Sequence, residues 1–177
     1  MKKTAHHSAI QLDLSGFLIA ELHWINQQQF SIQLNSPRTA PIDPNGLPDE
    51  HNHIEHQLKT ALQRITGLDF SLHTDWLTHP AFPSTPTAFQ QRIWQATQAI
   101  PAGQTVSYAD LTASAGKPGA ARAVGNALNR NPWPILIPCH RVVAANHNGG
   151  YAWGGEIKQF LLKTEQRSLK TEQGKTS

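Results

Sequence analysis

The stretch SYADLTASAGKPGAARAVGNALNRN (residues 107–131) decides the fold class that we predict. Ser107 stands three residues before Asp110, which is the pattern of a capped helix start, and a glycine ends this first segment. A second helix is predicted over 118–131, because proline is favoured in a first turn and excluded from a helix interior. A helix, a short Gly/Pro turn and a second helix are typical of a helix-turn-helix motif.

The flanking sequence predicts further short elements. Alternating apolar residues predict strands at 17–24 and 30–34. Apolar residues at helical spacing predict amphipathic helices at 54–67, 87–100 and 156–166. We therefore expect an α/β protein, with its strands in the first half and most of its helices in the second.

A proline-rich segment, HPAFPSTP (79–86), is predicted to separate two domains. The expected boundaries are 1–84 for an N-terminal α/β domain and 85–167 for a mainly helical domain. The polar segment 168–177 is expected to be a flexible tail.

Charge is distributed unevenly along the 177 residues. Residues 1–85 contain 5 Lys/Arg and 8 Asp/Glu, whereas residues 86–177 contain 10 and 4. A basic second half indicates a polyanionic partner such as nucleic acid, with random variation of surface charge as the alternative.

Cys139 is the only cysteine, so intramolecular disulfides and cysteine zinc sites are excluded. A reducing compartment is expected: the cytoplasm, with nucleoid association if the source is bacterial. The basic start MKKTAHHSAI lacks the apolar core of a signal peptide, and no stretch approaches about 18 apolar residues. The histidines of HNHIEH (51–56) are interpreted as a loop rather than a metal site, and we expect no metal or cofactor.

The segment IPCHRVV (137–143) surrounds that cysteine. Cys139 is interpreted either as a buried structural residue or as a nucleophile whose proton passes to His140. A histidine and an arginine that follow an apolar run need polar partners, which indicates a site. Glu165 lies along the apolar face of the last predicted helix, either as a surface residue or as a carboxylate that orients His140.

The predicted second helix of the helix-turn-helix is unusually smooth, since GAARAVGNA (119–127) contains small residues almost throughout. Small residues favour either tight helix packing or insertion into a narrow DNA groove. Arg122 could then fill the space left in a base stack by an extruded base. Tyr108 could contact a phosphate or the base.

IPCHRVV, the helix-turn-helix segment and GYAWGGEIKQFLLKTE (150–165) together resemble the O6-methylguanine-DNA methyltransferase family. The similarity runs from about Phe89 to Glu165, whereas the first 85 residues match only in general shape. The resemblance implies a ribonuclease-H-like N-terminal domain and a winged helix-turn-helix C-terminal domain. It also implies direct repair of O6-alkylguanine, and possibly O4-alkylthymine, in double-stranded DNA. The base would be flipped out of the duplex, and its alkyl group would pass irreversibly to the protein in a single turnover. The protein would be a monomer that could cluster on DNA.

The resemblance also implies roles for individual residues. Cys139 would accept the alkyl group, His140 would act as a base through a water, Glu165 would hold the histidine, and Asn131 would bind near the thiol. Tyr108 would help to rotate the phosphate, contact the base and protonate its N3. Arg122 would replace the flipped guanine, and the helix around it would contact DNA through Ala121, Ala123, Gly125, Ala127 and Arg130. The guanine pocket would be formed by the backbone of Cys139 and Val142 and by Tyr151, Ala152 and Trp153.

The sequence departs from the family at three points. Trp153 stands where many members have a small residue, which predicts a narrower pocket. Asn126 stands where glycine is frequent, and the first half lacks the cysteines that hold zinc in some members. Two other functions stay open: a thiol hydrolase using Cys139, His140 and Glu165, and a non-catalytic lesion-binding module.

Overall fold

The structure is a computed structural model of the chain. It describes residues 10–14, 18–26, 28–36, 52–70, 75–83, 85–145 and 148–174. The predicted loop at 36–52 lies almost entirely outside the described residues.

The first half forms a three-stranded antiparallel sheet in the order β1 (Ile10–Asp13), β2 (Ile19–Trp24) and β3 (Phe30–Asn35). The two predicted strands are confirmed as β2 and β3. The pairing of Ile10 with Leu22 adds β1, which sequence reasoning missed. The turn between β2 and β3 forms because the Asn26 side chain accepts backbone N–H groups across it.

Helix α1 (Asn52–Thr66) follows the sheet and confirms the helix predicted at 54–67. Its buried side chains, Ile54, Leu58 and Leu62, recur at helical spacing and join the hydrophobic cluster of the sheet. The helix includes positions 52 to 56, so the interpretation of HNHIEH as a loop is wrong for those residues.

The second half is mainly helical, as predicted. Helices α2 (Ala88–Gln98), α3 (Tyr108–Ser114) and α4 (Ala121–Asn129) pack against one another. Short strands β4 (Val106–Ser107) and β5 (Val142–Val143) pair in parallel, and α5 (Gly155–Gly174) follows them.

The predicted caps are present at two of these helices. At α2, Thr87 and Gln90 form the reciprocal capping box. At α3, the Ser107 hydroxyl accepts the Asp110 N–H and also donates to the Asp110 carboxylate. These contacts satisfy backbone donors that a helix start otherwise leaves unpaired.

Two predicted helix boundaries are wrong. Helix α4 begins at Ala121 rather than Pro118, because Gly119 has a φ of +81° that no helix accommodates. Helix α5 continues to Gly174 rather than ending at 166, so it extends into the segment that was expected to be a flexible tail.

The predicted interdomain segment at 79–86 contains buried residues. His79, Ala81 and Phe82 are at most 4% exposed. The rings of His79 and Phe82 join a ring cluster that also includes Phe30, Phe70, Trp76 and Trp133. A single hydrophobic cluster therefore continues from the sheet into the helical half. The small sheet and the helices are consistent with a two-domain α/β fold.

None of the helices described is long and apolar enough to cross a membrane.

Candidate active site

Cys139 lies at the start of a 3₁₀ turn, Cys139–Arg141, directly after the buried run that ends at Pro138. The thiol is 4% exposed. The side-chain amide of Asn131 donates to Sγ at 3.1 Å and to the Ile137 carbonyl at 2.8 Å. The resemblance had implied a position for Asn131 near the thiol, and the geometry brings the two groups together.

His140, the next residue, points to the last helix. Its Nε2 is 2.6 Å from Oε1 of Glu165, and both side chains are buried. Because a carboxylate only accepts hydrogen bonds, Nε2 holds the proton and Nδ1 of the neutral ring is an acceptor. Nδ1 is buried and has no hydrogen-bond partner among the described residues, so it is available to accept a proton.

Arg141 completes this cluster, and sequence reasoning missed its role. Its guanidinium donates to Glu165 through Nε at 3.0 Å to Oε2 and Nη2 at 2.9 Å to Oε1. Nη1 donates to the Ile100 carbonyl at 2.6 Å. The N–H of Gly103 also donates to Glu165 Oε2 at 2.9 Å. The sequence had indicated that His140 and Arg141 need polar partners. The carboxylate of Glu165 on α5 binds both side chains.

These contacts set the protonation states at rest. Burial by itself would raise the pKa of Glu165, but hydrogen bonds and charge from His140 and Arg141 lower it to about 2. Burial lowers the pKa of His140, and Glu165 opposes that effect. Burial raises the pKa of Cys139 to about 11, although the Asn131 hydrogen bond and the charge of Lys158 partly oppose it. The resting site at neutral pH therefore holds a thiol, a neutral imidazole and a carboxylate.

Lys158 is a second residue that sequence reasoning missed. It is fully buried, and its ammonium donates to the carbonyls of Val142 at 2.6 Å and Gly150 at 3.3 Å. Burial lowers the pKa of Lys158 to about 8. Its position seven residues before Glu165 could have revealed it, because that spacing places both on one helix face.

Tyr108 contacts the segment that follows β5. The Tyr108 hydroxyl donates to the Gly150 carbonyl at 3.3 Å. Gly149 has a φ of +72°, and a Cβ there would lie 2.9 Å from Cε2 of Tyr108, so the close approach requires glycine. Burial and the nearby Cys139 raise the pKa of Tyr108.

Of the residues predicted to form the guanine pocket, Tyr151 lies near the thiol and packs on Trp153. The rings of Tyr151 and Trp153 meet edge to face at 5.2 Å. Burial and then Cys139 raise the pKa of the Tyr151 hydroxyl, which has no partner of hydrogen-bond geometry among the described residues. Ala152 is exposed, and the N–H of Val142 donates to the Cys139 carbonyl. A carbonyl oxygen has two lone pairs, so that of Cys139 can accept a second donor.

The exposed side of helix α4 carries small residues together with Arg122 and Asn126. Ala121, Arg122 and Ala123 are exposed, as is Arg130 just beyond the helix. A Cβ at Gly125 would meet no atom within 4 Å, so packing within the protein does not require this glycine. Ala127 was predicted to contact DNA, but it is buried, so its side chain is not on the outward surface. Its carbonyl accepts the Trp94 indole N–H.

A cavity of about 360 Å³ lies between α1 and the buried His140–Glu165 pair, and Cys139 does not line it. Within the parts of the chain that the structure describes, no cluster of three or more His, Cys, Asp or Glu residues has the arrangement of a metal site.

These features define the class of the protein. It is an α/β protein whose single cysteine is buried next to a cluster of His140, Glu165 and Arg141. The family model described as "6-O-methylguanine DNA methyltransferase, DNA binding domain" matches residues 88–167.

Relatives extend this match over the chain. A methylated-DNA–protein-cysteine methyltransferase of Cricetulus griseus is 35% identical over 174 residues, covering 93% of this chain and 82% of that protein. A probable enzyme of the same name from Acanthamoeba polyphaga mimivirus is 38% identical over 114 residues, covering 63% and 76%. Other relatives match over about half of their own length. The crystal structure of Mycobacterium tuberculosis OGT in complex with DNA has a TM-score of 0.57 and 28% identity, covering 89% of this chain and 92% of that one.

The chain belongs to the methylated-DNA–protein-cysteine methyltransferase family, which confirms the resemblance found in the sequence.

Proposed function

We propose that the protein repairs DNA by direct reversal, transferring the alkyl group of O6-alkylguanine in double-stranded DNA to Cys139. The observation that carries the proposal is the buried thiol, held by Asn131 at 3.1 Å beside a His140–Glu165 pair at 2.6 Å, in a chain of this family.

The chemistry balances with the groups present. The bond between Sγ and the alkyl carbon forms as the bond between that carbon and guanine O6 breaks. The thiol proton passes through a water to Nδ1 of His140, and Glu165 stabilises the imidazolium. Tyr108 protonates N3 of the departing guanine. Its phenolate regains a proton from solvent, to which the His140 imidazolium returns the thiol proton. The product is a thioether, which water does not cleave, so each molecule acts once.

The raised thiol pKa fits this scheme. A resting thiol with a pKa of about 11 is protected from incidental oxidation and alkylation, because the thiolate is the reactive form. Reaction then depends on proton transfer to the neutral His140, which occurs when the substrate is bound.

DNA would bind along α4. We propose that α3 and α4 form the helix-turn-helix of a winged domain over residues 85–167, and that residues 1–84 form a ribonuclease-H-like domain. Arg122 would occupy the space of the flipped base, and the smooth surface around it would enter the minor groove. That surface consists of Ala121, Ala123 and Gly125, with Arg130 beside it. Binding should weaken steeply with salt, since phosphate contacts dominate.

The base would lie between the backbone of Cys139 and Val142 and the segment of Tyr151, Ala152 and Trp153. Tyr108 would contact it from α3. Acceptance of O4-alkylthymine depends on the same pocket. The protein would act as a monomer. A DNA-binding isotherm measures whether several molecules bind cooperatively along the DNA.

The hydrolase alternative fits the geometry less well. In thiol hydrolases the histidine activates the cysteine directly. Here Cys139 receives its hydrogen bond from Asn131, and the resting thiol is protonated. A non-catalytic binding module would not need the cysteine at all.

Intact-protein mass after incubation with a DNA duplex containing O6-methylguanine tests the proposal. We expect a gain of one methyl group at Cys139 and a reaction that stops at one equivalent. Cys139→Ala should still bind the lesion but gain no mass. Multiple turnovers, or no transfer, would contradict the proposal.

A further inference from the structure

The outer edge of β3 is hydrogen-bonded to the loop that leads to the thiol. The N–H of Ile32 donates to the Pro132 carbonyl at 2.7 Å. In return, the indole Nε1 of Trp133 donates to the Phe30 carbonyl at 2.8 Å. The sheet of the first half therefore binds residues 132 and 133 directly, seven and six positions before Cys139.

Packing holds the Trp133 ring in this position. The ring is fully buried, stacks on Phe30 with centroids 5.2 Å apart and meets the edge of Phe82 at 5.3 Å. An indole N–H in such surroundings needs an acceptor, and the β3 backbone supplies it.

Trp133 also determines how the Asn131 amide is oriented. The backbone N–H of Trp133 donates to Oδ1 of Asn131 at 3.0 Å. The opposite end of that amide, Nδ2, donates to the thiol. A reversed amide would place two donors face to face, so the Trp133 N–H ensures that a donor faces the sulfur.

The loop needs such anchors. Ile135, between Trp133 and the thiol, has a φ of +74°, a conformation that a β-branched residue rarely adopts. Strained backbone of this kind persists only where its surroundings hold it.

We propose that Trp133 is a positioning residue, through which the N-terminal sheet holds the Asn131 amide against Cys139 and so sets the reactivity of the thiol. The inference rests on the proposed function. It gives the sheet of the first half a role in the transfer reaction.

Trp133→Phe tests this role, because it keeps an aromatic ring and removes the indole donor. Trp94→Phe is a matched control: Trp94 is also buried and donates through its indole to a backbone carbonyl, that of Ala127, but it does not touch Asn131. Two rates are measured on each full-length variant: modification of Cys139 by iodoacetamide at several pH values, and single-turnover methyl transfer from DNA.

We expect Trp133→Phe to slow both rates by about 3- to 10-fold, the effect of weakening one hydrogen bond, and to shift the pH profile of modification upward. Trp94→Phe should change the modification rate by less than about twofold. If the two variants behave alike, Trp133 is only a structural residue and the proposal is wrong.

A double-mutant cycle with Asn131→Ala gives a second criterion. If Trp133 acts through Asn131, Trp133→Phe should have no further effect on modification once the amide is gone. The same factor in both backgrounds would overturn the proposal. If Trp133→Phe fails to fold, benzothienylalanine at position 133 preserves the ring size and lacks the N–H.

The two measured rates distinguish a failure of this proposal from a failure of the proposed function. Absence of methyl transfer by the parent protein would contradict the function, whereas iodoacetamide modification still reports on Trp133.

Discussion

Arg141 and Glu165 form a buried two-point ion pair, with Nε 3.0 Å from Oε2 and Nη2 2.9 Å from Oε1. The same carboxylate binds His140 at 2.6 Å, so Arg141 holds in place the group that orients the imidazole. The arginine of IPCHRVV is therefore part of the site even though it does not contact the thiol.

Arg141→Ala should lower the free energy of unfolding by about 3–5 kcal/mol, because it leaves a buried carboxylate with one partner fewer. Urea denaturation measures this. Lys59→Ala is the control, since it removes a partly exposed ion pair with Glu55 at 2.7 Å and should cost less than about 1 kcal/mol. Equal losses would mean that the buried pair adds nothing beyond a surface contact.

Stability at acid pH should depend on Glu165. Its folded pKa of about 2 lies below the ordinary 4.5, so its contribution is complete above pH 4.5 and is lost as the pH falls towards 2. The loss is on the order of 3 kcal/mol. Glu165→Gln should not show this loss between pH 4.5 and 2.

Urea denaturation at several pH values measures this dependence in the parent and in Glu165→Gln. Parallel profiles of the two proteins between pH 4.5 and 2 would contradict the assignment.

Modification of Cys139 by iodoacetamide should accelerate with pH and show no plateau below about pH 9, because burial raises the thiol pKa to about 11. Asn131→Ala should move the profile to still higher pH, since the amide hydrogen bond favours the thiolate. A plateau near neutral pH would instead indicate a preformed thiolate–imidazolium pair of the hydrolase kind.

Gly125→Ala should raise the free energy of unfolding by up to about 1 kcal/mol, because alanine favours helix and its Cβ would meet no atom. The same change should weaken DNA binding if α4 enters a groove. Gly116→Ala is the contrast for stability, because its φ of +68° makes any side chain unfavourable. Unchanged DNA affinity in Gly125→Ala would argue against close approach at this point of the helix.

Trp153→Ala should widen the proposed guanine pocket, because the Trp153 ring packs edge to face on Tyr151, which lies near the thiol. We expect faster inactivation of the variant by free O6-benzylguanine and little change in methyl transfer from DNA. Ile25→Ala, at an exposed apolar residue in the β2–β3 turn, controls for loss of apolar surface. Equal inactivation of Trp153→Ala and the parent would show that the ring does not limit entry.

Local signals in the sequence predicted most of the elements. Thr87 with Gln90 and Ser107 with Asp110 marked the starts of α2 and α3, since a cap depends on residues within one turn. The start of α4 was misplaced, because Pro118 suits a helix start but Gly119 adopts a left-handed conformation. Strand β1 was missed although Ile10 and Leu12 alternate with polar residues, because a four-residue pattern predicts a strand only weakly without its partner strand.

The candidate site was predicted in part. His140 and Glu165 came from the motif and from the face of a helix, and they meet as expected. Arg141 and Lys158 were missed because a buried cation is recognised by its acceptors, which lie 24 and 16 residues away along the chain. Ala127 was assigned to the outer face of α4, but it is buried and so lies on the inner face of the helix.

The sequence by itself determined the chemistry of this protein: one cysteine, a histidine beside it, a basic second half and a smooth helix with one arginine. These features can be recognised in the sequence, because residue type and local periodicity do not depend on contacts with distant parts of the chain. Only the tertiary structure decided which groups control the thiol. The edge of β3, Trp133 and Asn131 come together across about 100 residues of chain through hydrogen bonds and burial, which no local pattern encodes.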